Sequence, residues 1–294
     1  MLRNKYLKKC RLCQSKKLKP YFNFGKIPLG NNLETSLESA ILAKTYPLYV
    51  FRCTSCNHFQ LNFSVSPKQL YATNYTYLSG VGKSFVSHIE EYVSWIIENC
   101  KLKSKSFIFE IGSNDGTCLE KFKNLGHNVC GVDPAQLPSK IANEKGVFTI
   151  NDFFNDKTVD YVLKKFGQPE IVTSQNSLAH IDDLINTFER IFFLLKKNGY
   201  FVFEVGYFGK VLENNLFDTI YHEHLDYHHA NPLVVHLKNL GFEILNISLN
   251  GSQGGSVRLL LKKSGKKKIS RQANNFLNVT PVDLRGGNQD VHDI

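Results

Sequence analysis

From Ser106 onward, apolar strand-like runs alternate with amphipathic helical ones, a pattern that predicts an α/β protein with a mostly parallel, doubly wound sheet covered on both faces. Two further observations sharpen the expectation. The run Phe107-Ile-Phe-Glu110-Ile closes on Gly112-Ser-Asn-Asp115-Gly116, a turn whose missing side chains let a ligand approach the backbone. Ahead of it, within the first 65 residues, lie two Cys-x-x-Cys pairs, the mark of a small metal-stapled module.

The metal module is the first element in the chain. Cys10-Arg-Leu-Cys13 and Cys53-Thr-Ser-Cys56 each form a knuckle, and two knuckles offer four thiolates to one tetrahedral zinc ion at roughly 2.3 Å. With every position taken by sulfur, no place is left for water, so the zinc is expected to be structural. His58 is a possible substitute ligand, and free or redox-active cysteines are the competing reading. The long interval between knuckles is expected to form a loop over Asn23–Asn32 and a short helix over Leu37–Ala43. The expected domains are a zinc module over 1–65, a linker and helix over 66–105, a donor-binding fold over 106–263 and a tail over 264–294.

A tyrosine-dense stretch, Tyr71-Ala-Thr-Asn-Tyr75-Thr-Tyr77-Leu-Ser-Gly80, reads as a functional loop. Lys83–Asn99 then carries Phe85, Ile89, Tyr92, Val93, Ile96 and Ile97 at helical spacing, a helix to pack on the sheet. Beyond Ser106 strands are expected near 107–111, 128–132, 147–150, 170–174, 199–205, 242–249 and 256–261. Helices fall near 116–125, 138–145, 157–166, 182–197 and 232–240. The last two strands are joined only by Asn250–Gly255, too short for a crossover helix, so they must pair antiparallel. Seven strands so arranged make a Rossmann-like sheet of the class I methyltransferase type. Past Lys262 the periodicity fades: Lys262–Lys268 reads as a solvated basic run and Ser270–Ile294 as a weakly ordered tail.

In such a sheet ligands lie outside the carboxyl ends of the strands. The second strand ends in Asp133, 21 residues after Gly112, where a carboxylate can accept hydrogen bonds from a ribose. The turn is Gly-x-x-x-Gly, with Glu110 just before it and Asp115 inside it. They would repel a pyrophosphate and attract the cationic sulfonium and amino group of S-adenosylmethionine, so Glu110, Gly112, Asn114, Asp115, Gly116 and Asp133 are the candidate donor-binding residues. After the third strand, Asp152 could bond the adenine amino group and Phe153 stack on the ring; the alternative is that Asp152 merely caps a helix. Asn176 and His180 would share a face on a helical turn. Tyr221-His222-Glu223-His224 is a poor core and a good proton-transfer segment, because histidine titrates near neutrality and a carboxylate beside it fixes its tautomer. A polar surface loop is the plainer reading of that segment.

These residues resemble the S-adenosylmethionine-dependent sugar C-methyltransferases, which methylate C3 of nucleotide-linked 4-keto-deoxysugars. The likeness rests on the paired Cys-x-x-Cys motifs, Tyr75-Thr-Tyr77-Leu-Ser79, Glu110–Gly116, Asn176 with His180, Tyr221–His224 and Gly254-Gly-Ser-Val-Arg258. It implies His224 as the base that removes the C3 proton, oriented by Tyr221 and Glu223, with His180, Asn176 and Tyr75 facing the sugar or its enolate oxygen. It also implies a nucleotide-sugar partner, taken as dTDP-linked. Similar members continue into a second α/β lobe, which is expected to be absent here.

Composition sets the outer limits. A chain of 294 residues with 42% hydrophobic content can bury a large core. No long apolar run is present, so neither a membrane nor export is expected, and the address is cytoplasmic. A net charge of +10 favours phosphate-bearing partners. That charge keeps a zinc-containing rRNA methyltransferase as a rival, but the basic residues are not interleaved with stacking aromatics, so a nucleic-acid partner is not expected. A non-catalytic relative of the enzyme is the other rival.

Overall fold

A computed structural model describes residues 4–72 and 75–279. The N-terminal part runs β1 (Lys5–Tyr6), β2 (Leu18–Ile27), α1 (Leu37–Ile41), β3 (Tyr46–Cys53), β4 (Phe59–Leu61), β5 (Phe63–Ser64) and α2 (Lys83–Cys100). The main body follows as β6 (Phe107–Ile111), α3 (Thr117–Asn124), β7 (Asn128–Val132), α4 (Gln136–Glu144), β8 (Thr149–Ile150), α5 (Asp156–Phe166), β9 (Ile171–Gln175), α6 (Leu184–Leu194) and β10 (Tyr200–Gly206). It closes with α7 (Phe208–Glu213), β11 (Asp226–Tyr227), α8 (Ala230–Leu240), β12 (Glu243–Asn250), β13 (Ser256–Lys262) and α9 (Arg271–Val279).

The seven-stranded sheet has the order β12-β13-β10-β9-β6-β7-β8. The chain moves outward from β6 to β8, then returns to β9 on the other side, and the reversal opens a crevice at the carboxyl ends of β6 and β9. Of the expected antiparallel pair, only β13 is reversed against the sheet; it pairs antiparallel with both β10 and β12. β6 is buried along its whole length, which is why it reads as an unbroken apolar run rather than an alternating one. Phe107 and Phe109 pack into one core layer and Ile108 into the other. α2 covers the second layer with Ile89, Tyr92, Val93 and Ile96, the spacing read from the sequence.

The second sheet runs β11-β4-β3-β2. One of its edge strands, β11, comes from Asp226–Tyr227 in the main body, so zinc module and main body share one sheet. Between the knuckles the expected short helix is present as α1, while the expected loop over Asn23–Asn32 is strand as far as Ile27, where β2 pairs with β3; Leu18–Ile27 alternates weakly because an edge strand has little to bury.

The expected weakly ordered tail is corrected over Arg271–Val279, which is helical. Ile269 bridges Ile244, Ser270 Oγ accepts from the Ala273 amide at 3.0 Å, and Ala273 is fully buried with Phe276 and Leu277 packed against the core. Three apolar residues at helical spacing, starting from a serine cap, are enough once a sheet face is there to receive them. Gly286-Gly-Asn-Gln-Asp, also assigned to the tail, lies outside the described residues. Of the basic run, Lys263 Nζ donates to the Leu195 carbonyl at 2.7 Å, while Lys266–Lys268 are exposed.

Candidate active site

The four cysteine sulfurs lie within 4.8 Å of one another. Cys10 and Cys56 are 3.7 Å apart and Cys13 and Cys53 3.6 Å, close to the ~3.8 Å edge of a tetrahedron with Zn–S of roughly 2.3 Å. The two knuckles are built alike. The Cys10 and Cys53 amides donate to the Ser15 and His58 carbonyls at 2.8 Å each, and Gln14 and Asn57 turn the chain at φ 60° and 63°. The donor set fits one closed zinc site. His58 is not part of it; its Nε2 is 2.7 Å from Asp226 Oδ1.

A cleft of about 660 Å³ opens at the carboxyl ends of β6 and β9. Its inner half is lined by Glu110, Gly112, Ser113, Asn114, Asp133, Phe153 and Phe154, with Phe85 and Ile89 of α2 as an apolar wall. Gly112 has φ +71° and lies against Ser177, where a Cβ would collide, so no other residue fits this turn. Asp133 accepts from the Asn114 amide at 2.9 Å and the Ala135 amide at 2.8 Å, one on each oxygen, and each oxygen keeps a lone pair for a ribose hydroxyl. Burial nonetheless pushes its pKa up to about 6. Glu110 Oε2 has no partner among the described residues, and burial pushes this carboxyl up to about 8. A buried acid that shares a hydrogen bond with Cys118 through its carboxyl but keeps Oε2 unpaired fits a cation arriving beside it.

The remaining donor candidates fall elsewhere. Asn114 lines the cleft, but its side chain is used to hold Ser79 N at 2.9 Å and Tyr77 O at 3.0 Å. Asp115 and Gly116 do not line it. Asp115 Oδ1 accepts from Thr117 Oγ1 at 2.6 Å at the start of α3, and Oδ2 accepts from the Gly80 amide at 3.1 Å. Asp152 is exposed and off the lining, while the cap of α5 is Asn155, which accepts from the Thr158 amide.

Glu110 gives a stability prediction. A carboxyl whose folded pKa lies above its unfolded value contributes fully below about pH 4.5 and loses that contribution as pH rises toward 8. Glu110→Gln is therefore expected to stabilise the ligand-free protein at pH 7 by about 3 kcal/mol and to weaken S-adenosylmethionine binding. Urea unfolding of both proteins from pH 5 to 8 checks it; parallel curves would refute the burial argument.

The outer half of the cleft gathers Tyr75, Asn176, His180, Tyr221, Glu223 and His224. A tight turn, with the His224 amide on the Tyr221 carbonyl at 3.1 Å, brings the two rings to 4.4 Å. His224 Nδ1 is 2.7 Å from the Thr219 carbonyl, so Nδ1 carries the proton and Nε2, 3.2 Å from Tyr221 Oη, presents a lone pair. His180 lies 4.9 Å away, ring to ring. Its Nδ1 is 3.1 Å from Tyr71 Oη, whose own proton is donated to the Glu223 carbonyl at 2.9 Å, so here too Nδ1 is the donor. Burial lowers both imidazoles, His180 to about 3, and keeps them neutral. Asn176, at φ 49°, and Gln175 line the cleft, and their Nδ2 and Nε2 are buried without a partner among the described residues.

Three other residues clarify the site. His222 points away, its Nε2 3.2 Å from the Tyr46 carbonyl. Arg258 is off the lining and pairs with Glu204 and, at 2.8 Å, with Glu91. Asn31 Nδ2 donates to Glu223 Oε1, a contact across 192 residues that no local pattern could announce. Tyr71, by contrast, lay inside the flagged tyrosine-dense stretch.

Residues 85–247 match the family model described as "Methyltransferase domain", and residues 10–71 the one described as "Putative zinc binding domain". The chain is 31% identical over 248 residues to C-methyltransferase NovU of Streptomyces niveus, an alignment covering 84% of this chain. It spans 59% of that relative's length. Among solved structures it is similar to magnesium protoporphyrin IX methyltransferase of Synechocystis PCC 6803, at 14% identity and TM-score 0.47, over 61% of this chain and 83% of that one. It is also similar to a methyltransferase of Clostridium acetobutylicum, at 16% identity and TM-score 0.48, over 60% and 92%. The methyltransferase match alone takes in more than half of the 294 residues, and the protein belongs to the S-adenosylmethionine-dependent methyltransferase family, with a four-cysteine zinc-binding module at its N-terminus.

Proposed function

We propose that this protein transfers a methyl group from S-adenosylmethionine to carbon, at C3 of a nucleotide-linked 4-keto-deoxysugar, with dTDP as the nucleotide. The observation that carries the reading is the pair of half-buried, neutral imidazoles, His180 and His224, each with Nδ1 committed to a hydrogen bond and His224 Nε2 turned to the Tyr221 hydroxyl, at the outer end of a crevice suited to a cationic nucleoside. The relative named a C-methyltransferase favours carbon as the acceptor atom.

S-adenosylmethionine, when bound, supplies an electrophilic methyl group; Glu110 and Asp133 would hold it. A C–H bond beside a ketone becomes acidic when the developing enolate oxygen is stabilised and a base is at hand. His224 Nε2 takes the C3 proton, and the bond to the Thr219 carbonyl keeps the ring in the basic tautomer. The electron pair left by the C–H bond spreads onto the C4 oxygen, then forms the new C–C bond as the methyl leaves sulfur. Asn176 Nδ2 and the Tyr75 hydroxyl are the donors for that oxygen. Glu223, braced by Asn31, and Tyr221 orient the sugar and the base. The zinc stays out of the chemistry and holds the fold.

Incubating the purified protein with S-adenosylmethionine and a dTDP-4-keto-6-deoxy sugar tests the reading. The expected result is S-adenosylhomocysteine together with a sugar heavier by one methylene. Methyl transfer to bulk rRNA instead, or to neither, overturns it.

A further inference from the structure

We propose that Arg11, the residue next to the first zinc ligand, is a positioning residue for both cleft histidines, acting through the aspartate that follows each of them; this rests on reading the outer cleft as the acceptor site. The two histidines sit in the same local frame, His180-Ile-Asp182 and His224-Leu-Asp226. Arg11 lies between the two aspartates with its side chain 2% exposed. Its Nη1 donates to the Asp182 carbonyl at 2.7 Å and to Asp182 Oδ1 at 3.1 Å, and its Nε is 3.9 Å from Asp226 Oδ1.

Toward Asp182 the contact is a pair of hydrogen bonds and toward Asp226 an ion pair without one, Nε being unpartnered among the described residues, but the elements on both sides are held in place. The Arg11 amide donates to Gln60 Oε1 at 2.7 Å, and Gln60 Nε2 returns to the Lys9 carbonyl at 3.2 Å, bolting the knuckle to β4. On the other side, the Leu225 amide donates to the Ala179 carbonyl at 2.7 Å, so the loops bearing His180 and His224 are tied together. Asp226 is fully buried and also takes His58 Nε2 at 2.7 Å; Asp182 also takes Lys5 Nζ at 2.6 Å and Ser64 Oγ at 2.9 Å. Neither aspartate depends on Arg11 alone for its charge. What Arg11 alone supplies is one rigid guanidinium that addresses both loops from a point fixed by the metal. The distance between the two imidazoles is thereby referred to the zinc knuckle, and proton transfer is sensitive to displacements well under an ångström.

The test uses the full-length zinc-loaded protein with Arg11→Met and Arg11→Lys. Expected for Arg11→Met are unchanged zinc content, S-adenosylmethionine affinity within about twofold, and kcat lower by about 10- to 100-fold with acceptor KM little changed. Arg11→Lys recovers only part of kcat, because one ammonium cannot make both bonds to Asp182 and also stay within ion-pair distance of Asp226. In ¹⁵N-histidine spectra the His180 and His224 resonances should move in Arg11→Met. Wild-type kcat in Arg11→Met, or a kcat that falls only in step with lost zinc or lost donor binding, overturns the proposal. Should the wild type transfer no methyl to any acceptor, the functional reading fails, and the spectra still decide: shifted His180 and His224 lines at full zinc content support Arg11 as the positioning group, and unmoved lines refute it.

Discussion

His224→Ala is expected to lower kcat by about 10²- to 10⁴-fold while leaving S-adenosylmethionine affinity within about twofold. The two effects separate because base and donor are held by different parts of the chain. His224 belongs to the turn after α7 and contacts Thr219 and Tyr221, whereas Glu110 and Asp133 stand at the ends of β6 and β7. Isothermal titration with the donor and steady-state turnover with the keto sugar measure the two halves independently. Burial lowers the His224 pKa, so the sign of its pH effect is fixed: the base is already unprotonated at neutrality, and kcat should fall only on the acid side, below the ordinary histidine range. Full turnover in the alanine variant would remove His224 from its role. A rate that keeps climbing through pH 7 to 9 would show instead that a group of higher pKa is the base.

Removing the zinc, by chelation or by Cys53→Ser, is expected to reduce turnover by more than about a hundredfold with donor binding altered by about threefold or less. A structural zinc site contributes ~10–16 kcal/mol of apparent binding energy, as much as the whole stability of an ordinary domain, so the module should not persist without metal. Its loss reaches the cleft because β11 pairs with β4, and the Leu61 amide donates to the Leu225 carbonyl at 2.9 Å, one residue from His224. His222, on the Tyr46 carbonyl, and Glu223, on Asn31, lose their partners in the same event. The donor crevice contains no residue of the two knuckles. Circular dichroism, donor titration and turnover on the same chelated sample check the separation; a chelated protein that still turns over would show that the shared sheet does not govern the acceptor side.

Much of this site is legible in one dimension, and the parts that are not share a cause. Gly112 and Asp133 can be read because a strand ending in a turn and a second strand ending in an acid are local patterns whose spacing the fold repeats. The cysteine pairs are legible for the same reason, since each knuckle closes within six residues, as the Cys10–Ser15 and Cys53–His58 bonds show. Asp115 and Asp152 illustrate the opposite case. An aspartate at a turn can serve a ligand or its own backbone with the same chemistry, and here Asp115 answers to Thr117 and Gly80 and Asp152 to the Phe153 amide.

By itself, then, the order of residues determined most strands and helices of the seven-stranded sheet and each of the two cysteine knuckles, because these depend on neighbours within a few positions. Only the tertiary structure decided that β11 joins the sheet of the zinc module, that Asn31 and Tyr71 reach the outer half of the cleft, that Arg271–Val279 folds back as α9, and that Arg11 stands between Asp182 and Asp226. Those contacts link residues far apart in the chain. They form because burying a polar group far from water is favourable only where a complementary partner waits, and where that partner stands is a property of the packed molecule.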